Sequence, residues 1–423
     1  MTDLMQFLQR KGILRSMGPA VSFLGKVVGI AVTVLVVRIV GAGPETMPLF
    51  LALALVTFVN NVLVSLIEMQ AVAELGTHPQ SSERNILGGA LLLGLVTAAG
   101  VGLVLLCFAS FSPLAVQILP FALPLMATLP FSSLFTGYLG IGIYRGRWFS
   151  PAVASGCRTL VTIVILVVFL PRYGLSVVSI ALILGEVTRL GVVASVLRTH
   201  GSLERRAISR YLRRVLVQVP SSLFGSASPA VDRYVVGILG LGSVAILDLA
   251  EKAYGFVALA FTQGVLPPLY RGWASDLERS KRNRAIFKVA FLALGGSFVV
   301  AVLATGLIQV GAPVILGSEA QAYGSTLVVA SAAYLLGLAP YLAGQVLVRL
   351  IVLENFMHLL NYTAAAQMIV NIVLDLLLGP RLGLTGIALA TSVVAWLGFL
   401  FSLWLATRIS RQYVLQPDTN ASQ

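Results

Sequence analysis

Charge is scarce in this chain. Only 11% of its 423 residues are Asp, Glu, Lys or Arg, while 58% are hydrophobic and the mean hydropathy is +0.94. That balance excludes a soluble globular protein, whose charged fraction is about a quarter. Acids are the scarcer sign, 16 against 29 Lys and Arg. Cysteine is nearly absent. Cys107 and Cys157 both fall in apolar stretches, which excludes a disulfide framework and a metal quartet. The three histidines, His78, His200 and His358, stand singly at the edges of apolar stretches and read as solvated loop residues. A Gly-Lys-Ser/Thr loop for gripping nucleotide phosphates is missing, as is any polar connection much above 20 residues in which a catalytic domain could be housed. The chain therefore reads as no enzyme, with no cofactor or metal implied. Strands of alternating polarity, which a membrane barrel requires, are also lacking. The first 15 residues carry no apolar signal core, so the first helix itself is expected to direct insertion.

What is present is length of apolar sequence. A helix crosses the roughly 30 Å hydrocarbon core in about 20 residues. Runs of that length are expected at 17 to 40, 47 to 67, 86 to 110, 114 to 143, 151 to 170 and 174 to 198, then at 215 to 239, 243 to 268, 285 to 308, 322 to 350, 358 to 379 and 384 to 408. Each must be helical, because unpaired backbone amides in lipid cost several kcal/mol apiece. The fold class is all-α and polytopic, with about twelve spans.

The cations orient the bundle, since Lys- and Arg-rich connections stay cytoplasmic during insertion. Of the 29, 21 fall on one side; the opposite side has Arg172 and Arg381, and six lie within spans. Both termini are thus expected in the cytoplasm. The net charge of +13 and the pI near 10.1 reflect this topology rather than nucleic-acid binding. The run Leu203 to Arg214 (LERRAISRYLRR) can also lie along anionic headgroups as an amphipathic helix, which makes anionic membrane lipids a partner.

The chain repeats itself. Val36-Val37-Arg38-Ile39-Val40-Gly41-Ala42-Gly43 ends the first span, and Val235-Val236-Gly237-Ile238-Leu239-Gly240-Leu241-Gly242 ends the seventh, 199 residues on. Pro171-Arg172-Tyr173-Gly174-Leu175 and Pro380-Arg381-Leu382-Gly383-Leu384 are 209 apart. The expectation is two parallel six-helix bundles, 1–198 and 215–410, with a basic linker at 199–214 and a tail at 411–423. In repeat-built transporters the substrate site lies near the midplane, and one bundle moves against the other.

Charges inside spans are costly and mark functional sites by default. Glu186 and Arg189 share a helix face and are expected to pair. Asp232 and Arg233, like Glu251 and Lys252, point about 100° apart, so each member should contact another helix. Lys26, Arg38 and Arg158 resemble an unpaired set, with Arg38 close enough to the outer end to snorkel. A cavity lined by Lys26, Arg158 and Lys252 would suit a phosphate-bearing substrate. Asp248, Glu251 and Asp375 are candidate protonation sites. Pro120, Pro124 and Pro130 in span four, Pro220 and Pro229 in span seven and Pro267-Pro268 ending span eight are expected to bend helices.

The segment from Gly25-Lys26-Val27-Val28-Gly29 to Gly41-Ala42-Gly43 resembles the first helix of the lipid II and O-antigen flippases, in the multidrug/oligosaccharidyl-lipid/polysaccharide exporter superfamily. Asp232-Arg233, Leu249-Ala250-Glu251-Lys252-Ala253-Tyr254, Gln263 to Leu269 (QGVLPPL) and Gly383 to Thr391 (GLTGIALAT) carry the same resemblance. It implies two bundles around a V-shaped cavity in the bacterial cytoplasmic membrane. Through it a polyprenyl-diphosphate-linked glycan would pass to the outer leaflet, driven by an ion gradient or the membrane potential. The transporter would be a monomer working beside glycan polymerase and export machinery, with Lys26 and Lys252 on the diphosphate. Val32, Asn60 and Asn61 stand where lipid II flippases carry basic residues, and their two further C-terminal helices lack a counterpart. On that ground the expected cargo is a polysaccharide repeat unit, with lipid II as the alternative. The rivals are a drug or cation antiporter, which would carry an acid in helix one, and a membrane glycan polymerase, which would need a large loop.

Overall fold

The structure, a computed structural model, describes residues 30–415 apart from 78–82, 146, 148, 200–202, 218, 241–242, 267–268, 270–272, 274–278 and 355. The described residues are almost entirely helical. In chain order the helices are α1 (Ile30–Ile39), α2 (Met47–Thr77), α3 (Glu83–Ala109), α4 (Pro113–Met126), α5 (Thr128–Tyr144), α6 (Phe149–Tyr173), α7 (Ser176–Val196), α8 (Arg205–Val217), α9 (Val219–Leu239) and α10 (Val244–Leu259). A π-helical turn, Ala260–Val265, follows, and then α11 (Arg279–Leu316), α12 (Ala320–Leu336), α13 (Leu338–Leu353), α14 (Met357–Leu382) and α15 (Leu384–Leu415).

Eight helical stretches among the described residues are long and apolar enough to cross a membrane. They contain expected spans two to six and nine to twelve, nine and ten running together as Lys281–Leu353. Spans one, seven and eight are helical over most of their described residues but fall short of that measure. The first is described over ten residues, and α9 and α10 carry Asp232, Arg233, Asp248, Glu251 and Lys252. The outward faces are apolar, as lipid requires: on α11, Leu303, Leu307, Val310 and Val314 are 63 to 79% exposed.

Expected spans four and ten are each broken in the middle. α4 gives way to α5 at Ala127 and α12 to α13 at Gly337, and each break lies three residues before a proline, Pro130 or Pro340. Proline has no N–H for the carbonyl four residues back, so Met126 and Leu336 lose their helical partners and the helix bends there. Pro120 and Pro124 sit inside α4 without breaking it. Pro340 had drawn no expectation.

Two compact units result: residues 1–237 with 243–248, and residues 238–242 with 249–423. Within the first, α6 packs on α7 and α5 on both α2 and α3; within the second, α14 packs on α15 and α13 on both α11 and α15. Turns repeat as well. Gly41 (φ 112°) and Gly240 (φ 62°) are 199 residues apart, and Gly174 (φ 65°) and Gly383 (φ 60°) are 209 apart; all four occupy the left-handed region that favours glycine.

A third correspondence is electrostatic. Arg145, just past α5, meets Glu83 at the start of α3 at 2.5 Å, and its Nη1 donates to the Arg198 carbonyl at 3.0 Å. In the second unit Glu354, just past α13, pairs with Arg282 near the start of α11. Glu83 and Arg282 are again 199 apart and Arg145 and Glu354 209 apart, so the same place carries the same bridge with its signs exchanged.

Helix α8 packs on α2 and α3. Its Tyr211 is 1% exposed and lies so close to Gly89 that a Cβ there would sit 2.6 Å from the ring. The Tyr211 hydroxyl donates to the Ile67 carbonyl at 3.3 Å, and the Glu204 N–H donates to Asn85 Oδ1 at 2.7 Å.

Candidate functional site

In lipid, apolar burial gives little force between helices, and packing together with polar bonds holds them. The first unit has two such polar clusters within its spans. The first is centred on Glu186 of α7, whose side chain is 4% exposed. One carboxylate oxygen receives Arg158 Nε of α6 at 3.0 Å and the other pairs with Arg189, one turn along α7. The Arg189 guanidinium lies 3.9 Å from the centre of the Phe135 ring and donates to Ser132 Oγ at 3.2 Å. Ser132 in turn donates to Asn60 Oδ1 at 2.5 Å. Gly185 lets α6 and α7 come close: a Cβ there would meet the Arg158 carbonyl at 3.1 Å.

The pairing of Glu186 with Arg189 follows the i, i+3 expectation. Arg158 departs from its expectation of standing unpaired. Its acid lies on the neighbouring helix, out of reach of any search within one turn of its own. Two cations on one carboxylate leave the triad net positive, and Arg158 remains 35% exposed at its side chain.

The second cluster joins α1, α9 and α10. Asp248 accepts from Arg233 Nη2 at 2.7 Å and from Thr33 Oγ1 at 2.7 Å, while Arg233 Nη1 donates to the Pro229 carbonyl at 3.2 Å. Arg233 thus contacts another helix, as its angle to Asp232 required. Asp232 is itself 1% exposed. Nearby, Ser243 Oγ donates to the Ala42 carbonyl at 2.6 Å. Arg38 is exposed near the end of α1, and Lys26 lies outside the described residues.

In the second unit Glu251 and Lys252, adjacent on α10, are both half-buried. Beyond them Tyr254 packs edge-on to Tyr341, ring centres 5.7 Å apart, and 6.2 Å from Tyr334. Asp375 of α14 is fully buried and accepts from Asn371 Nδ2 at 3.1 Å. Sequence reasoning missed Thr33, Ser132 and the role of Asn60. A hydroxyl or amide inside an apolar span was the available signal, but only the fold shows which charge it serves.

The arrangement holds paired charge within the helices of a membrane protein. It fits recognition and transport of an ionic headgroup.

Comparison with known proteins agrees with that class. The model of a family described as the lipid II flippase MurJ matches residues 86–417. No curated protein matches. A solved lipid II flippase MurJ in an inward closed conformation is 16% identical with TM-score 0.74, over 94% of this chain and 91% of that one. An inward-facing multidrug resistance transporter of the MATE family is 15% identical with TM-score 0.67, over 95% of this chain and 96% of that one. A transporter of the MOP superfamily from Pyrococcus furiosus, reported with a binding pocket of reverse polarity, is 15% identical with TM-score 0.60, over 94% of this chain and 95% of that one. At these identities the structures speak for the fold alone, which the flippase and the multidrug resistance transporter share. The family match goes further, and it shifts the balance from the polysaccharide branch to the lipid II branch. Of the departures that had favoured the former, the three at Val32, Asn60 and Asn61 precede the matched stretch. The chain is a multi-pass membrane protein that belongs to the MurJ lipid II flippase family.

Proposed function

We propose that this protein carries a lipid II-type precursor, a polyprenyl diphosphate bearing a peptidoglycan headgroup, from the inner to the outer leaflet of the bacterial cytoplasmic membrane by alternating access. The observation that carries the reading is the family match across residues 86–417, which spans most of both repeats. The charge pattern supports it. A diphosphate needs cations that keep some access, and Arg158, with its guanidinium partly exposed beside a shared carboxylate, is suited to a bidentate phosphate grip. Lys252 is the second diphosphate contact, with Lys26 and Arg38 as further contacts in the first span. Asp248 is the coupling residue in this reading: protonating it would neutralise the partner of Arg233 and weaken the tie to Thr33. Asp232, Glu251, Asp375 and the Glu186–Arg189 pair are the further coupling or ion-pairing groups in this reading.

A polysaccharide repeat unit is the second reading. It is favoured by Asn60, which takes up a hydrogen bond from Ser132 where a lipid II flippase would offer a cation. Mass spectrometry of polyprenyl-diphosphate lipids in depleted cells, with the sidedness of any accumulated species, separates the two. Build-up of a peptide-bearing disaccharide on the cytoplasmic face supports the lipid II reading. Build-up of an oligosaccharide without peptide supports the second, and an unchanged lipid pool refutes both.

A further inference from the structure

Helix α8 is held by one face and bare on another. On the held side Ala207, Tyr211 and Val215 are buried. At about 100° per residue, Arg205, Leu216, Ser209, Arg213, Arg206 and Arg210 fall in that order within a continuous arc of about 140°. All six are exposed. The bare face therefore carries four arginines and has apolar ends, since Leu203 and Leu216 are 65% and 59% exposed. An apolar rim is out of place in bulk water and suits a bilayer surface.

The arginines are not equivalent. Glu74 at the end of α2, 3% exposed at its side chain, takes Arg214 at 2.6 Å and Arg210 at 3.6 Å. Among the described residues, the ion pairs of α8 use those two arginines alone and go to that one acid. Arg205 and Arg206 occupy the first turn of the helix, where the peptide dipoles already point positive, and no acid is found in that turn. The helix does not stabilise cations there, and a phosphate would be stabilised by both.

We propose that the bare face of α8 binds the phosphates of anionic phospholipids through Arg205, Arg206 and Arg213, and that Glu74 sets how many arginines the face offers by withholding Arg210 and Arg214. Docking through Tyr211 and Gly89 fixes that face with respect to the α2–α3 pair, so the contact is oriented rather than diffuse. The surface is separate from the transported cargo and does not rest on its identity.

The test uses the full chain in detergent, titrated with phosphatidylglycerol or phosphatidylcholine and read by native mass spectrometry. The wild type should prefer phosphatidylglycerol. An arginine near an anionic surface is worth roughly fivefold, so R205Q/R206Q/R213Q should lower phosphatidylglycerol affinity roughly a hundredfold and leave phosphatidylcholine unchanged. Glu74→Gln should raise phosphatidylglycerol affinity by about fivefold or more as Arg210 and Arg214 become available. Arg172→Gln, at an exposed cation on the opposite connection, should change nothing. Equal binding of the two lipids by the wild type, an unchanged affinity in the triple variant, or an equal loss in Arg172→Gln overturns the assignment. No gain in Glu74→Gln overturns the withholding role.

Discussion

Removing Glu186 should hurt this protein more than removing either of its cations. The carboxylate serves Arg158 at 3.0 Å and also pairs with Arg189, whose side chain is only 10% exposed. Glu186→Gln keeps the shape and deletes the charge, leaving two guanidinium groups facing each other with one of them buried. Breaking a buried pair from one side costs about 3–5 kcal/mol. The figure is reduced here by what Arg189 keeps: the Phe135 ring, worth about 1–2 kcal/mol when desolvated, and the Ser132 hydroxyl. Arg158 is partly solvated, and its share is discounted accordingly. The net expectation is a loss of about 3 kcal/mol. Arg189→Met, by contrast, leaves Glu186 paired with Arg158 and replaces the guanidinium by an apolar chain of similar length, for a loss of about 1 kcal/mol or less. In the double variant Arg189→Met should recover most of the damage of Glu186→Gln, because the buried uncompensated charge is gone. Thermal unfolding of the detergent-purified variants, arranged as a double-mutant cycle, reads all three numbers. If Arg189→Met costs as much as Glu186→Gln, or the two losses simply add, the shared-carboxylate reasoning is wrong.

Four further outcomes are expected. Lys252→Ala should abolish lipid-linked precursor export while the protein remains in the membrane, checked by lipid sidedness and membrane fractionation together; normal export would remove Lys252 from the diphosphate site. Asp248→Asn should lower thermal stability by about 3 kcal/mol, since the buried Arg233 loses the charge of its carboxylate partner, and Thr33→Val by about 1 kcal/mol for one hydrogen bond. The reversed bridge of the second unit predicts that Glu83→Arg combined with Arg145→Glu restores the yield and melting temperature lost in Glu83→Arg, and failure of that rescue would argue against equivalent bases in the two repeats. Finally, burial pushes the Tyr211 phenol well above its ordinary value of 10, with the Glu74 carboxylate adding to the rise. The folded state thus favours the protonated phenol, so its contribution to stability is complete below pH 10 and is lost as the pH rises from there towards the folded value. Thermal stability should therefore fall as the pH rises above 10 in the wild type, and Tyr211→Phe should lessen that fall.

Some of these features were open to inspection before any fold was known. Glu186 and Arg189 pair because three residues make less than one helical turn, a distance the chain fixes by itself. The bend in span four could be expected from its prolines, although placing it at Ala127 needed the structure, because three prolines compete and the helix is interrupted only ahead of Pro130. Arg158 misled in the opposite way. It stands alone along its own helix and meets Glu186 only because Gly185 lets α6 and α7 approach closely.

The sequence by itself determined that this is a bundle of membrane helices, since hydropathy is a property of the chain in one dimension, and its offsets of 199 and 209 recur in the turns of the structure. Tertiary structure alone decided which charges answer one another between helices. Side-chain pairing depends on contacts between helices far apart in sequence, as with Thr33 and Asp248 or Glu74 and Arg214. It decided as well which arginines of α8 are held and which are offered. That division follows from how α8 docks, with Tyr211 against Gly89 and the Glu204 N–H on Asn85, which orients the whole helix about its axis.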